Sequence, residues 1–214
     1  MKNMPNYFII MGDIIKSRAL DGRDLIRHFR NIVNSCNEEL SDCILSPYTI
    51  TLGDEFQGVA KSLHCSVQSV FYLEEATLRE QLPFRLRYVI HFGEIATDIN
   101  PAIAYEMVGP GLTKARELLA AKRRGRPRFL VDLPDRYLAT QLNRLFSVIA
   151  SLTEGWDVED SSLICDMLAS EDNTIIAEKH GKDRSQIYKR RRTLHISDYT
   201  ALKAVILDVA RRTR

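Results

Sequence analysis

Hydrophobic and polar positions alternate with two different periods along the first half of the chain. Short apolar runs bounded by glycine, proline or aspartate predict strands, and apolar residues spaced by three or four predict helices. The strands are expected near residues 6–13, 47–52, 56–63 and 83–97, and the helices near residues 24–40 and 65–82. The order β, α, β, β, α, β is that of the ferredoxin-like split unit, in which the first strand lies beside the hairpin.

The second half of the chain continues with a helix near 112–124, a strand at 128–132 and a long helix near 134–152. A polar linker around residues 153–162 then leads into a basic tail. The sequence therefore predicts an α+β fold with two domains. A ferredoxin-like (βαββαβ) domain is expected over residues 1–155, and a small all-α helix-turn-helix domain over residues 156–214.

Composition is that of a globular protein, because 45% of the 214 residues are hydrophobic and 27% are charged. The longest apolar runs are far too short to span a bilayer, so a cytoplasmic protein without a membrane partner is expected. The four cysteines show no CxxC pair, and we interpret them as reduced packing residues. They are Cys36, Cys43, Cys65 and Cys165.

Charge is distributed unevenly along the chain. Residues 172–214 hold 11 Lys and Arg against 5 Asp and Glu, so they carry a balance of +6. Since the formal net charge is +2, the first 171 residues carry −4. A mildly acidic body with a basic tail indicates that only the tail meets a polyanion.

Two aspartates are placed by this topology at the ends of neighbouring strands. Asp13 ends the first strand, and Asp54 lies at the tip of the hairpin. Hard divalent cations prefer oxygen ligands, and Mg²⁺ commonly binds one or two carboxylates plus waters and substrate phosphates. A Mg²⁺ or Mn²⁺ site is therefore predicted, and two metals there would support in-line attack on a phosphoryl group. The alternative is local: Asp13 caps the following turn, and Asp54 occupies a Gly-Asp turn.

A candidate phosphate site lies at the start of the helix near residue 112. Gly109 and Gly111 precede this helix, which carries Lys114 and Arg116. Backbone N–H groups at a helix N-terminus can hold the phosphates of a nucleoside triphosphate or another nucleotide. The alternative is a Gly-Pro-Gly loop that is present only for its turn.

The basic tail has the pattern of a helix-turn-helix. A first helix contains Ile176 and Ala177, Gly181 breaks it, and a second helix starts near Ser185. Base edges of double-stranded DNA would meet the start of the second helix, and phosphates would meet its four consecutive cations. The predicted DNA-binding residues are Ser185, Gln186, Tyr188, Lys189, Arg190, Arg191 and Arg192. Such a charge run is also typical of a solvated face, and the tail could instead serve dimer contacts.

Four segments together resemble the SatD family over nearly the whole chain: IIMGDIIKSR, ITLGDEFQGV, LRYVIHFGEIAT and MVGPGLTKAREL. At a greater distance they are similar to the class III nucleotidyl cyclase domain, and GDEF is similar to the diguanylate cyclase signature, although Leu52 replaces that motif's first glycine. The resemblance implies a palm-like first domain with Asp13 and Asp54 as metal ligands. It adds the Ile14 carbonyl as a third candidate ligand and Glu55 as a further one, and it implies a homodimer.

Three departures from the cyclase pattern fall where cyclisation needs particular residues. Ile50 stands where adenylyl cyclases have a purine-recognising lysine, Thr113 where the family has asparagine, and Glu117 where it has the transition-state arginine. Arg116 is one position away, and successive helical residues point roughly 100° apart. Since cyclisation requires the charge on the phosphorus oxygens to be neutralised, these departures argue against a standard cyclase.

Three functions therefore stay open. The first is a DNA-binding regulator that joins a metal- and nucleotide-binding cyclase-like domain to a helix-turn-helix. The second is a nucleotidyl cyclase or nucleotidyltransferase that uses two-metal chemistry at Asp13 and Asp54. The third is a catalytically inactive interaction module, and no residue is assigned a catalytic role.

Overall fold

The computed structural model of the chain describes residues 4–15, 22–121 and 125–212. Five strands and eight α-helices lie in these ranges. The strands are β1 (Asn6–Ile14), β2 (Ile44–Ile50), β3 (Glu55–Ala60), β4 (Leu86–Glu94) and β5 (Phe129–Asp132). The helices are α1 (Gly22–Glu39), α2 (Leu63–Arg79), α3 (Pro110–Ala120), α4 (Arg136–Thr153), α5 (Ser161–Ala169), α6 (Asn173–His180), α7 (Arg184–Thr193) and α8 (Ile196–Arg211).

The sheet has the order β2-β3-β1-β4-β5. The first four strands pair in antiparallel fashion, and β5 is parallel to β4, so the sheet is mixed. β1 lies beside the hairpin that β2 and β3 form, as the split unit requires. The α+β class and the predicted order of the first six elements are confirmed. The end predicted for the third helix, at residues 122–124, lies outside the described ranges.

The two faces of the sheet carry separate sets of helices. Ile10 belongs to a large hydrophobic core that includes residues of α1, α2 and α4. Ile9 and Met11 point the other way and pack in a smaller core with residues of α3. Because side chains alternate along a strand, Asp13 shares the α3 face with Ile9 and Met11. The geometry of β1 therefore places this carboxylate on the same side of the sheet as α3.

The C-terminal helices pack against α2 and α4. Tyr199 of α8 lies 6.1 Å from the ring of Phe71 in α2 and 4.9 Å from that of Trp156. The Trp156 indole N–H donates to the carbonyl of Leu194 at 2.8 Å, and Lys203 pairs with Glu75 of α2. A 3₁₀ turn (Val158–Asp160) and the start of α5 occupy the second half of the segment expected to be a linker. The division into domains at residues 155 and 156 stays a prediction.

The interpretation of all four cysteines as reduced packing residues is wrong for two of them. Cys43 and Cys65 form a disulfide, whereas Cys36 and Cys165 are free. Cys43 precedes β2 and Cys65 lies in the first turn of α2, and their Cα atoms are 5.1 Å apart. The hairpin brings them together, because the N–H of Lys61 donates to the carbonyl of Cys43 at 2.9 Å. A spacing of 22 residues gave no signal of this pairing.

None of the helices in the described ranges has the length and hydropathy needed to cross a bilayer.

Gly12 is required by the close packing of the three central strands. A Cβ atom there would lie 2.5 Å from the Phe56 ring and 2.9 Å from the backbone oxygen of Arg87. We therefore expect Gly12→Ala to lower the free energy of unfolding by about 1–3 kcal/mol, the usual cost of overpacking. Gly155→Ala is the control, because a Cβ atom at Gly155 would meet nothing within 4 Å. Equal urea midpoints for the two variants would contradict this packing.

Candidate functional site: a carboxylate and arginine cluster at the end of the first strand

The register of the sheet brings three charged residues into one row. Asp13 of β1 lies opposite Glu55 of β3 on one side and opposite Arg87 of β4 on the other. Asp54 directly precedes β3, and its carbonyl accepts a hydrogen bond from the N–H of Ile14 at 3.0 Å. The neighbouring strands predicted to carry Asp13 and Asp54 are thus adjacent at this end of the sheet.

Asp13 is engaged by an arginine that the sequence interpretation gave no role. One terminal nitrogen of Arg87, Nη1, lies 2.9 Å from Oδ2 of Asp13 and 3.2 Å from Oδ1. Both side chains are only 19% exposed, so the pair is held largely out of solvent. The Asp13 carboxylate therefore has a strong counter-charge within the chain.

Two further arginines lie close to the carboxylates. Arg116 of α3 donates from Nη2 to the side-chain oxygen of Gln57 at 3.3 Å and interacts electrostatically with Glu55. Arg126, in the loop before β5, interacts with both Asp13 and Glu55. The cluster therefore contains three carboxylates and three guanidinium groups. We call it the β1-end cluster: Asp13, Asp54, Glu55, Arg87, Arg116 and Arg126.

Burial dominates the proton equilibria of this cluster. It raises the pKa of Asp13 above its ordinary value of 3.8, although Arg87 and Arg126 oppose the rise. Burial also raises the pKa of Glu55, and the charge of Arg116 acts against it. The pKa of Arg126 is lowered by burial and by the like charge of Arg87. The ion pairs thus offset only part of the lost hydration.

Two donors of the cluster have no hydrogen-bond partner among the described residues. They are Nε of Arg87 and Nη2 of Arg126, and both atoms are buried. A buried N–H group without an acceptor is costly, and it is usually satisfied by protein, water or a ligand. Two such donors on neighbouring guanidinium groups match the oxygens of a phosphate.

The predicted metal ligands stay a prediction. No group of three or more His, Cys, Asp or Glu side chains that could hold a metal ion occurs in the ranges that the structure describes. The predicted ligands are the carboxylates of Asp13 and Asp54, with the Ile14 carbonyl and Glu55 as further candidates, and the three carboxylates do not form such a preassembled group. Hard oxygen donors of this kind suit Mg²⁺ or Mn²⁺ when phosphates and waters complete the shell. The chemistry of the residues therefore fits such an ion.

The glycines at the start of α3 serve close packing. A Cβ atom on Gly109 would lie 2.6 Å from the backbone oxygen of Glu94, and one on Gly111 would lie 2.7 Å from the backbone carbon of Gly93. These contacts favour a packing role for the Gly-Pro-Gly loop. Lys114 lies 3.8 Å from Glu117 on the exposed side of α3, so Arg116 is the member of the predicted phosphate set that joins the β1-end cluster.

The predicted DNA-binding residues all lie on α7. Some of their side chains are exposed, whereas others bind groups within the chain. Ser185, Tyr188, Lys189 and Arg192 are exposed. Gln186 is exposed as well, but its side-chain oxygen accepts from the N–H of Asp183 at 3.0 Å in a capping box. Gln186 therefore helps to start α7.

Arg190 and Arg191 bind inside the chain. Arg190 forms an ion pair with Asp160, which precedes α5. Arg191 donates to the side-chain oxygen of Asn173 at 2.9 Å and to the carbonyls of Met167 and Ser170 at 2.9 and 2.6 Å. The last two bonds satisfy acceptors at the end of α5. Two of the four consecutive cations thus hold α7 against its neighbours.

Because Arg191 bonds within the chain and Arg192 is exposed, substitutions at these adjacent positions should change stability by different amounts. Arg191→Met removes three hydrogen bonds and should lower the free energy of unfolding by about 1–3 kcal/mol, because part-buried acceptors lose their partner. Arg192→Met, the control, should change it by less than about 0.5 kcal/mol, as expected for an exposed side chain. Denaturant unfolding of both variants tests the contrast, and equal stabilities would contradict the structural role of Arg191.

Comparison with known proteins adds a family and a set of distant structures. The model of the SatD family matches residues 7–209. No curated protein sequence matches the chain significantly. Among solved structures, the adenylyl cyclase CyaB from P. aeruginosa is 14% identical, with a TM-score of 0.43 over 60% of this chain and 77% of that one. A bacterial light-regulated adenylyl cyclase is 11% identical, with a TM-score of 0.40 over 60% of this chain and 43% of that one.

Proposed function

This chain belongs to the SatD family, and we propose that it is a DNA-binding regulator whose sheet binds a nucleotide together with a divalent cation. The observation that carries the nucleotide part is the β1-end cluster, in which partly buried carboxylates and arginines with spare donors lie together at one end of the inner strands. The DNA part rests on the exposed cations of α7 and on the basic charge of the C-terminal segment.

A metal-bound phosphate has the charge pattern that this cluster can accept. In the free protein, Arg87 neutralises Asp13. A divalent cation would take over Asp13, and the phosphate would take over the Arg87 guanidinium, so neither buried charge is left without a partner. Arg126 and Arg116 would supply further donors to phosphate oxygens. Asp13 and Asp54 would hold Mg²⁺ or Mn²⁺, and the ion would supply positive charge to the phosphate oxygens.

The geometry of the C-terminal helices supports contact with a duplex. α6 ends at Gly181, whose φ of +60° is a left-handed conformation that glycine adopts easily, and α7 begins three residues later. Ile176 and Ala177 of α6 and Ile187 of α7 are buried, which orients the two helices. A surface groove at the start of α7 is lined by Asn173, Arg184, Ser185 and Tyr188. An exposed helix start flanked by cations suits the major groove.

An enzymatic alternative is a nucleotidyl cyclase or transferase that acts through Asp13 and Asp54. Against it, Arg116 donates to Gln57, and Glu117, which stands where cyclases have the transition-state arginine, is exposed beside Lys114. Product formation from a nucleoside triphosphate with Mn²⁺ would favour this alternative. Binding of neither metal, nucleotide nor DNA would favour the inactive interaction module.

We also propose that the protein forms a homodimer, and analytical ultracentrifugation would test this.

Nucleotide binding should stabilise the protein only when a divalent cation is present. At a ligand concentration of 100 times the Kd, the free energy of unfolding should rise by about 2.7 kcal/mol. We expect Asp54→Asn to abolish this rise while changing the stability of the free protein by less than about 0.5 kcal/mol, because Asp54 lies at a hairpin tip. Denaturant unfolding with MnATP and MnGTP measures both effects.

The control for this experiment is Asp42→Asn, since Asp42 is exposed in the turn before β2. It removes the same charge and should keep the full ligand response. If Asp54→Asn retains the response, or if it unfolds the free protein, then Asp54 is not a metal ligand of the kind we propose.

DNA binding should depend on Lys189 and Arg192, the two predicted phosphate contacts that remain exposed. Each neutralised phosphate adds about −0.9 to the slope of log K against log salt. Lys189→Ala with Arg192→Ala should therefore weaken binding to all duplexes alike and reduce the slope by roughly 1.8. Fluorescence anisotropy at several salt concentrations measures both quantities. Ser185→Ala should instead change the preference among sequences, with little effect on the slope.

A matched double variant separates local contacts from net charge. Arg211→Ala with Arg212→Ala removes the same two charges from the exposed end of α8. It should leave the slope nearly unchanged. An unaltered slope in the α7 double variant, or no duplex binding by the unaltered protein at low salt, would remove the support for DNA recognition.

A further inference from the structure

A cavity of about 430 Å³ lies where the C-terminal helices meet the sheet domain. Its walls come from α2, from the segment that leads into β4, from the end of α4 and from the turn before α5. None of the carboxylates of the β1-end cluster lines it. The volume is within the range of about 300–1,000 Å³ that is usual for small-molecule sites. The cavity is therefore a candidate site independent of the proposed function.

Much of the cavity wall is apolar. Leu78, Leu82, Phe84 and Val158 contribute aliphatic and aromatic surface, and Trp156 adds an indole ring. The Trp156 ring is held in place, because its N–H donates to the carbonyl of Leu194 and its centroid lies 4.9 Å from that of the Tyr199 ring. A rigid, apolar wall of this kind favours a ligand with a compact hydrocarbon body.

The polar end of the cavity contains a buried ion pair with an unused acceptor. Glu74, only 9% exposed, binds Arg128 through one carboxylate oxygen. Arg128 also donates to the carbonyl of Leu86 and to the hydroxyl of Thr153, both at 3.1 Å. The other Glu74 oxygen, Oε1, is buried and has no hydrogen-bond partner in the described ranges. Such an acceptor is costly to leave unsatisfied. Because Oε1 is covered in the free protein, a ligand in the cavity would donate to it once the Glu74 carboxylate turns toward the cavity, and that bond would satisfy the acceptor.

The charges around the cavity cancel. Glu74 and Asp157 are matched by Arg85 and Arg128 on its walls. Burial lowers the pKa of Arg128 to about 10, which still leaves it charged at neutral pH. Arg85 is held by the carbonyls of Glu154 and Trp156 at 2.8 and 3.1 Å. A charged ligand would therefore find no unpaired opposite charge on the cavity wall, so a neutral ligand is favoured.

We propose that this cavity binds a neutral, mainly apolar small molecule that carries a hydroxyl or N–H donor for Glu74. The apolar walls hold the body of the ligand, and the unpaired carboxylate oxygen selects for the donor. Because Ser161 of α5 and Tyr199 of α8 also line the cavity, an occupied cavity would bridge α2 and the C-terminal helices.

Three cyclohexane derivatives of similar size test this proposal. Cyclohexanol offers a donor, cyclohexanone offers only an acceptor, and cyclohexanecarboxylate adds a negative charge. Trp156 is the only tryptophan in the chain, so its fluorescence reports directly on the cavity. We expect a saturable change with cyclohexanol and binding at least about tenfold weaker for cyclohexanone, because a hydrogen bond to a charged group is lost. Cyclohexanecarboxylate should bind no more tightly than cyclohexanone.

A cavity-filling variant checks the location of binding. Val158→Phe adds volume at a wall residue that is 42% exposed, and it leaves the Glu74 and Arg128 pair in place. Val148→Phe is the matched control, since Val148 is 45% exposed and lies outside the cavity wall. Cyclohexanol should bind the control normally and the filled variant at least about tenfold more weakly.

Two kinds of result would overturn the proposal. One is the absence of a saturable response to cyclohexanol in the unaltered protein, or a response that Val158→Phe leaves intact. The other is equal affinity for cyclohexanol and cyclohexanone, which would remove the role of Glu74. Neither result depends on nucleotide or DNA binding, so the β1-end cluster and this cavity can fail separately.

Discussion

The ion pair between Asp13 and Arg87 is the interaction on which the proposed ligand site depends. It joins the two central strands, β1 and β4, and both side chains are largely removed from solvent. A buried charge is tolerated only while it has a partner, so neither residue can be released without a replacement. A cation bound to a phosphate provides one replacement for each. A ligand of that type can therefore enter the cluster without leaving a bare charge behind.

The need of a partly buried charge for a partner also divides the basic residues of α7 into two groups. Arg190 pairs with Asp160, and Arg191 donates to Asn173 and to the carbonyls at the end of α5. Lys189 and Arg192 point outward and stay available to a polyanion. A run of four cations is thus divided between fixing a helix and presenting a charged surface. A variant that replaces all four cations would therefore change the stability of α7 and the charge of its surface at the same time.

Hydrophobic periodicity predicted most of the sheet domain, because the strands and helices bury one face each. It placed Asp13 and Asp54 on neighbouring strands, since the split unit fixes which strands are adjacent. It could not find Arg87, because the register between β1 and β4 decides which residue lies opposite Asp13, and these strands are some seventy residues apart. The position of Arg126 beside these carboxylates could not be predicted for a related reason, since a loop residue acquires its neighbours only through the fold. The disulfide between Cys43 and Cys65 depends on the hairpin in the same way. Sequence spacing likewise gave no sign that Gly109 and Gly111 are needed for the close approach of α3 to β4.

Anomalous diffraction from crystals grown with Mn²⁺ and a nucleotide tests the central claim most directly. We predict one or two manganese peaks within about 2.3 Å of carboxylate oxygens of Asp13 and Asp54, allowing for an ion slightly larger than Mg²⁺. The Arg87 guanidinium should have turned from Asp13 to a phosphate oxygen. Bound nucleotide without manganese at these aspartates, or an unbroken contact between Asp13 and Arg87 beside a bound nucleotide, would contradict the claim.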